Sequence, residues 1–271
     1  MSQKLGVLGF GNIAKAIVTP LLDKKLLKPE QVYCLVKTKK SYEDIKENYK
    51  YNVNIYHQNS EDAFLVWQCP IKILSVKPQQ LNSIKELKPL DNNENQTIVS
   101  ILAGVSLNKL QTSFPNHHSV RAVTNIPIVI GKGLSGIAFS KHVEEKEKAF
   151  IKTIFASSSK IYEFDEEYLN IFLALTSSAP AIISLIVEAL SDGGLSGGLQ
   201  KNLSEELVLE MMLGTILLLK DSTITTTDLK NMVTSPGGTT ISALRVLEKR
   251  SFRSALIEAI MAANNRSKEF S

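Results

Sequence analysis

The sequence predicts an α/β chain: a doubly wound parallel sheet followed by an all-helical segment. Three observations carry this. Through residue 164, short β-branched and apolar runs alternate with amphipathic stretches. From Asp165 onward almost every segment has helical periodicity. The first strand candidate also runs directly into a glycine-punctuated turn that opens a helix. The expected domains are therefore residues 1–164 and 165–271. A chain of 271 residues, 44% apolar and 21% charged, can build both without disulfide staples.

Strands are expected at Lys4–Leu8, Val32–Val36, Asn52–Tyr56, Ile71–Val76, Thr97–Leu102 and Ser119–Val123. Helices fall between them at Asn12–Leu22, Tyr42–Asn48, Ser60–Trp67, Gln79–Leu87 and Leu107–Gln111. This βαβα order implies parallel strands with helices on both faces, and runs such as Ile98–Leu102 suit strands buried on both sides. Pro127–Phe139 is expected to add a pair of strands, and Glu144–Phe155 a closing helix. In the second half, Asp165 is expected to cap a helix through Leu175. Pro180 opens the next, which Asp192-Gly193-Gly194 ends. Asn202 with Glu205 reads as a capping box for a helix through Lys220, and helices follow near Thr239–Arg250 and Phe252–Lys268.

Composition narrows the partners. Thirty-one basic against 27 acidic residues give a net charge of +4, mostly Lys scattered among Glu and Asp. That is a solvated surface, with no Arg–aromatic clustering, so no nucleic-acid partner is expected. Cys34 and Cys69 are the only cysteines and sit in apolar runs. They read as buried reduced thiols, which fits a cytoplasmic chain. No apolar run approaches the ~20 residues of a membrane span, so no membrane is expected. His117-His118 is expected in a polar loop with Asn116 and lacks a third ligand at metal spacing, so no metal is expected either.

The chemistry begins at Leu5–Ala14. Gly9, Gly11 and Ala14 form a G-x-G-x-x-A pattern after a strand and at a helix start. The first glycine permits the turn, the second lets backbone approach a pyrophosphate, and the small Ala14 lets helix pack on strand. The helix N-terminus complements the phosphate charge. This is a Rossmann-like dinucleotide site. The second strand ends Val36-Lys37-Thr38-Lys39-Lys40, with no carboxylate to hold a ribose diol. Lys37, Thr38 or Lys39 would match a 2′-phosphate, so NADPH is the expected cofactor, with NADH as a second donor.

A second candidate site is Thr234-Ser235-Pro236-Gly237-Gly238-Thr239-Thr240, before an amphipathic helix carrying Ile241, Leu244 and Leu247. Backbone N–H groups, hydroxyls and a helix N-terminus there suit a small carboxylate, and equally an ordinary helix cap. The stretches Ala181–Leu190 and Leu207–Leu219 are apolar nearly all round. Such helices must be covered on all sides, either in one tight bundle or, the favoured reading, between two subunits.

Taken together, the chain resembles the pyrroline-5-carboxylate reductase family. The resemblance is carried by Gly9-Phe10-Gly11-Asn12-Ile13-Ala14, Val76-Lys77-Pro78-Gln79, Ala103-Gly104-Val105-Ser106, Asn125-Ile126-Pro127, Asp192-Gly193-Gly194 and the stretch Val233–Glu248. It spans essentially the whole chain. It implies a Rossmann domain, a helical dimerisation domain, and NAD(P)H-dependent reduction of 1-pyrroline-5-carboxylate to L-proline, the last step of proline synthesis. By the same resemblance, Phe10, Gly11, Asn12, Ile13, Lys37 and Thr38 hold the adenosine and phosphates. Asn59, Val76, Lys77, Pro78 and Ala103 line the ribose and nicotinamide path. Ser235, Gly238, Thr239 and Thr240 bind the substrate carboxylate and ring nitrogen, with Asp165 near the substrate. Thr240 is the candidate catalytic residue, hydrogen-bonded to the nitrogen as it becomes an amine. The resemblance also implies a homodimer or higher homo-oligomer through the helical domain. In place of the family's Gly-Ser-Gly-Pro turn stands Ser177-Ser178-Ala179-Pro180, and in place of its Asn-Thr-Pro stands Asn125-Ile126-Pro127. Two other readings compete: a related imine or hydroxyacid reductase, and an NADP-binding regulatory protein without turnover.

Overall fold

The computed structural model describes residues 4–87, 96–221 and 223–269. Eight strands form one sheet in the order β3-β2-β1-β4-β5-β6-β7-β8. They are β1 Leu5–Leu8, β2 Val32–Val36, β3 Asn54–His57, β4 Ile71–Leu74, β5 Gln96–Ser100, β6 His117–Thr124, β7 Gly133–Phe139 and β8 Ser159–Glu163. All neighbours run parallel except β6 and β7. The helices of this part are α1 Asn12–Asp23, α2 Lys39–Asn48, α3 Phe64–Trp67, α4 Leu81–Glu86, α5 Leu107–Ser113 and α6 Glu145–Ala156.

Alternation along the strands explains the two covered faces. Leu5, Val7, Val32, Cys34, Val36, Ile71, Ile73 and Val99 join one apolar cluster with residues of α1 and α6. Leu8, Leu35, Leu74 and Ile98 point the other way, into a cluster with residues of α3, α4 and α5. Helix α1 buries Ala14, Ile17, Val18, Leu21 and Leu22, the spacing of a single helical stripe. Each fully buried Leu or Ile contributes about 1.5–3 kcal/mol. Both cysteines are free and buried, and burial pushes the Cys69 thiol up to about 12.

Several expectations are corrected. Pro127–Phe139 supplies only one strand, β7. Pro127 starts a 3-10 turn over Ile126–Ile130 that ends on the left-handed Gly131. Strand β8 carries no clear sequence signal: its residues are half-buried or exposed. His117 and His118 are not in a loop. They begin β6, with His117 buried and His118 Nδ1 3.3 Å from Glu147 Oε2.

By contacts the chain divides into Met1–Ser177 with Ala263–Ser271, and Ser178–Ala262. The predicted boundary at 164/165 marks where the strands end, but the first unit continues to Ser177. Leu169 and Phe172 join Val123 and Ala138 in a third apolar cluster. Gly136 admits them, since a Cβ there would sit 2.8 Å from Phe172 Cδ1.

The helical segment comprises α7 Leu169–Leu173, α8 Ala179–Ser196, α9 Lys201–Asp221, α10 Thr226–Met232, α11 Thr239–Lys249 and α12 Phe252–Glu269. Asp165 precedes a 3-10 turn and makes no side-chain cap. A π turn over Ala174–Ser178 joins α7 to α8, so Pro180 lies in the first turn of α8 within a continuous helical stretch. That stretch, Glu166–Ser196, is long and apolar enough by length and composition to cross a membrane. The serines at 177–178 hide this in the sequence, because they break the apolar run without breaking the helix.

Asp192-Gly193-Gly194 does not end α8. The helix runs on to Ser196, two residues further, and Gly198 (φ +96°) closes the exit. Leu199 N–H donates to Gly194 O at 3.1 Å, and Gly198 N–H to Leu195 O at 2.9 Å. Gly194 serves close approach instead: a Cβ would lie 2.1 Å from Ser204 Oγ on α9. Ser204 Oγ donates to Ser191 O at 2.7 Å. Helix α9 begins one residue before the expected cap at Asn202. Helix α10 was not expected, although Thr225 and Asp228 form a reciprocal capping box that announces it. Among the described residues, no apolar side chain after Ala174 is buried. Leu185, Leu207, Leu213 and Ile216 are all more than half exposed.

Candidate functional site

Strand β1 has β2 on one side and β4 on the other, so the strand order reverses there. Ligands of open α/β sheets bind outside the carboxyl ends of strands at such a point. A cavity of about 380 Å³ lies there, lined by the turns that leave β1, β2 and β4.

The first turn is fixed by Gly9. Its φ is +91°, and a Cβ would meet Ser75 O and Val76 Cγ1 at 2.7 Å each. Its N–H donates to Leu35 O at 2.9 Å. Phe10 is buried and packs edge-on against Tyr49, ring centroids 5.1 Å apart. The Tyr49 hydroxyl, pushed up to about 12 by burial, pairs with Thr19 Oγ1 at 2.9 Å. Gly11 is the N-cap of α1, and a Cβ built on it meets nothing within 4 Å. The space in front of the α1 N-terminus is therefore open, as close approach of a phosphate requires.

The second turn brings exposed lysines to a capped helix N-terminus. Thr38 caps α2, its Oγ1 accepting the Ser41 N–H at 3.1 Å and donating to Ser41 Oγ at 2.8 Å. Lys37 and Thr38 are exposed at the positive end of the α2 dipole, with Lys39 in its first turn. Lys39 lies 4.0 Å from Glu43, an exposed pair, and the half-buried Lys15 4.0 Å from the exposed Asp44; at that distance both pairs add little. From β4, Val76 and Lys77 complete the wall, Lys77 N–H donating to Gln80 Oε1 at 3.1 Å.

Of the predicted cofactor residues, the cavity gathers Gly9, Phe10, Gly11, Lys37, Thr38, Val76 and Lys77. Asn12, Ile13, Asn59, Pro78 and Ala103 are not among its lining. Asn12 starts α1, and Ile13 packs against the core. Asn59 is exposed beyond β3, its N–H donating to His57 Nδ1 at 3.3 Å. Pro78 opens a 3-10 turn, and Ala103 is exposed beyond β5. Sequence reasoning missed Ser41, Gln58, Gln80 and Ser83, which line the cavity. Only Ser41 carried a signal, three residues after the capping Thr38.

In the helical unit, Ser235–Gly238 makes a β-turn. Gly238 N–H donates to Ser235 O at 3.1 Å, and Gly237 holds φ +66°. Gly238 is the N-cap of α11 and makes no side-chain cap. A Cβ on it would lie 2.4 Å from Ser235 Oγ, so the glycine lets that hydroxyl fold over the helix start. Thr240 is half-buried, while Ser235 and Thr239 are exposed. A larger cavity of about 650 Å³ takes Thr234 and Ser242 from either side of this turn, but none of Ser235, Gly238, Thr239 and Thr240. Asp165 is exposed in the other unit. No group of three or more candidate metal ligands occurs among the described residues.

Comparison with known proteins decides the family. A curated pyrroline-5-carboxylate reductase of Synechocystis sp. is 37% identical over 99% of this chain and 98% of its own. The chain belongs to the pyrroline-5-carboxylate reductase family. A family described as pyrroline-5-carboxylate reductase dimerisation matches residues 166–270, and one described as NADP oxidoreductase coenzyme F420-dependent matches residues 4–104. Among solved structures, a Plasmodium falciparum pyrroline carboxylate reductase with NADP bound superposes with TM-score 0.83 at 28% identity, covering 98% of this chain and 97% of its own. A Coxiella burnetii pyrroline-5-carboxylate reductase gives 0.87 at 27% identity, covering 100% and 99%.

Against the family's turn, neither Ser177 nor Ala179 adopts a positive φ. Ser177 Oγ instead donates to Thr124 O at 3.0 Å. Asn125 is buried, accepting Leu134 N–H at 2.8 Å and donating to Thr176 O at 3.2 Å. The neighbouring Ile126 is exposed.

Proposed function

We propose that this chain reduces 1-pyrroline-5-carboxylate to L-proline with NADPH, NADH serving as a second donor. The observation that carries the reading is the pairing of two sites in a pyrroline-5-carboxylate reductase family member. One is a switch-point cavity with a capped, lysine-flanked α2 terminus. The other is the Ser235–Thr240 cradle at the start of α11. Residues 1–164 act as the cofactor domain, and residues 165–271 as the dimerisation and substrate domain.

The cofactor fits the residues present. Gly9 and Gly11 leave room for the pyrophosphate, Phe10, Asn12 and Ile13 set the α1 terminus, and Lys37 with Thr38 receives the 2′-phosphate. Asn59, Val76, Lys77, Pro78 and Ala103 border the ribose and nicotinamide path. When bound, NADPH supplies the hydride that reduces the C=N bond. The protein's work is orientation and charge placement, because a protonated imine is already electrophilic. Ser235, Gly238 and Thr239 hold the substrate carboxylate with hydroxyl and backbone donors. Thr240 hydrogen-bonds the ring nitrogen as it becomes an amine. Asp165 is the acidic residue that the family resemblance assigns to the substrate.

The exposed apolar faces of α8 and α9 are covered by a second copy of the chain, and the protein works as a cytoplasmic homodimer or larger homo-oligomer. Following NADPH oxidation at 340 nm with pyrroline-5-carboxylate, and NADH in parallel, tests the proposal. Turnover with NADPH in excess over NADH is expected. Cofactor binding without oxidation of either would instead favour a regulatory protein.

A further inference from the structure

The first unit contains an ionic network, built on a buried arginine and a half-buried carboxylate, that the reductase reading does not use. Arg121, in β6, is 1% exposed. Its Nη1 donates to Glu166 Oε1 at 3.2 Å and its Nη2 to Asn170 Oδ1 at 2.9 Å. Asn170 Oδ1 also accepts Ser267 Oγ at 3.0 Å. Glu166 Oε1 has a second duty: it accepts the backbone N–H of Leu107 at 2.7 Å. A guanidinium this deep is costly, and an apolar side chain would fill a sheet position more cheaply. What an apolar side chain cannot do is hold a carboxylate against the first N–H of α5.

That contact ends a particular turn. Leu107 is the first residue of α5, whose cap is Ser106. Before it runs the β5–α5 turn, with Gly104 at φ +71°, Leu102 and Val105 buried, and Ala103 exposed. The turn leaves the carboxyl end of β5, and Ile101 N–H ties it to Leu74 O of β4 at 3.1 Å. Its position follows from the sheet order. The site proposed above for the adenosine half is at the end of β2, on one side of β1. The other half of a dinucleotide crosses to the far side, over β4 and β5.

We propose that Glu166, locked by Arg121, is a positioning residue that fixes the Ala103–Ser106 turn against the nicotinamide half of the cofactor. This rests on the NADPH reading above. It adds a means of setting the nicotinamide end independently of the adenosine end.

The test uses the full chain carrying Glu166→Gln, which keeps the shape and removes the charge. Dissociation constants for NADPH and for 2′,5′-ADP, which has only the adenosine half, are measured by titration calorimetry. NADPH binding is expected to weaken about three- to tenfold, with 2′,5′-ADP unchanged within about twofold, as for exchanging a charge-assisted contact for a neutral one. Steady-state kinetics should show the matching rise in KM for NADPH. Equal weakening of both ligands would make the network merely structural, and no change in either would remove it from the site; both overturn the proposal. Glu166→Asp keeps the charge beside Arg121 but shortens the reach to Leu107, and reads the same split if Glu166→Gln folds poorly. Both ligands are scored by binding, so a chain that binds them without turnover fails the reductase reading and still tests this one.

Discussion

Gly9 and Gly11 are two residues apart, yet the structure gives them opposite sensitivities. At Gly9 an alanine meets two costs. The backbone sits at φ +91°, and the new methyl lies 2.7 Å from Ser75 O. Strained backbone costs about 1–3 kcal/mol and overpacking about 1–3 more. A loss of about 2–6 kcal/mol should lower Tm by at least about 5 °C. At Gly11 the methyl meets nothing within 4 Å. Its φ of −86° suits alanine, and the weaker helix cap is offset by lower unfolded-state entropy, each within about 1 kcal/mol. Gly11→Ala should therefore melt within about 2–4 °C of the parent. The same methyl occupies the space through which the pyrophosphate reaches the α1 N–H groups. Loss of one charge-assisted hydrogen bond weakens NADPH binding by roughly tenfold to 150-fold. Thermal melts with and without NADPH, followed by titration calorimetry, separate the two variants. A Gly11→Ala protein that binds NADPH like the parent would refute the placement of the pyrophosphate. A Gly9→Ala protein of parental stability would refute the steric argument.

The other predictions test separate links. Lys37→Ala should lower kcat/KM for NADPH at least about tenfold and leave NADH unchanged, since only the former has a 2′-phosphate to lose; equal effects on both cofactors reject the assignment. Thr240→Ala should lower kcat/KM for pyrroline-5-carboxylate by roughly ten- to 150-fold without moving the NADPH dissociation constant. Leu213→Asp, on an apolar face 54% exposed, should shift sedimentation from at least twice 29.9 kDa towards the monomer. The Cys69 thiol, raised to about 12 by burial, binds its proton more tightly folded than unfolded. Stability is then full below about pH 8.5 and falls as pH rises toward 12, a limb that Cys69→Ala should flatten in alkaline melts.

Legibility followed the physics of each segment. Parallel strands buried on both faces are written as short apolar runs, so β1, β2, β4 and β5 were placed within two residues. Strand β8 is half-exposed and carries charge at Lys160 and Glu163, so no run announces it. The glycine turn was legible because Gly9 must be glycine for two reasons visible in any strand–turn–helix. Gln58, Gln80 and Ser83 were not legible, because polar residues on loops and short helices reach the cavity only through the fold. Asp192-Gly193-Gly194 misled for a definite reason. Glycine ends a helix or admits a neighbour, and the sequence does not say which. Here Gly194 admits Ser204, and Gly198 takes the left-handed exit.

The apolar helices argue one step further. The side chains buried in the Ser178–Ala262 unit are Ser191 and Ser204, among the described residues, and both sit where α8 and α9 touch. Contact through serines and a glycine brings the two backbones close but removes little apolar surface from water. Leu185, Leu207, Leu213 and Ile216 remain exposed at 51–63%. A unit in which no described apolar side chain is fully buried gains much of its hydrophobic stabilisation on association, so its folding and its oligomerisation should be linked by mass action. The sheet-based unit, with three apolar clusters, needs no such help. Diluting the protein or placing an Asp at Leu213 should therefore melt the helical unit and end turnover while NADPH binding at the switch-point cavity persists. Simultaneous loss of both activities would mean that the sheet-based unit also depends on the partner.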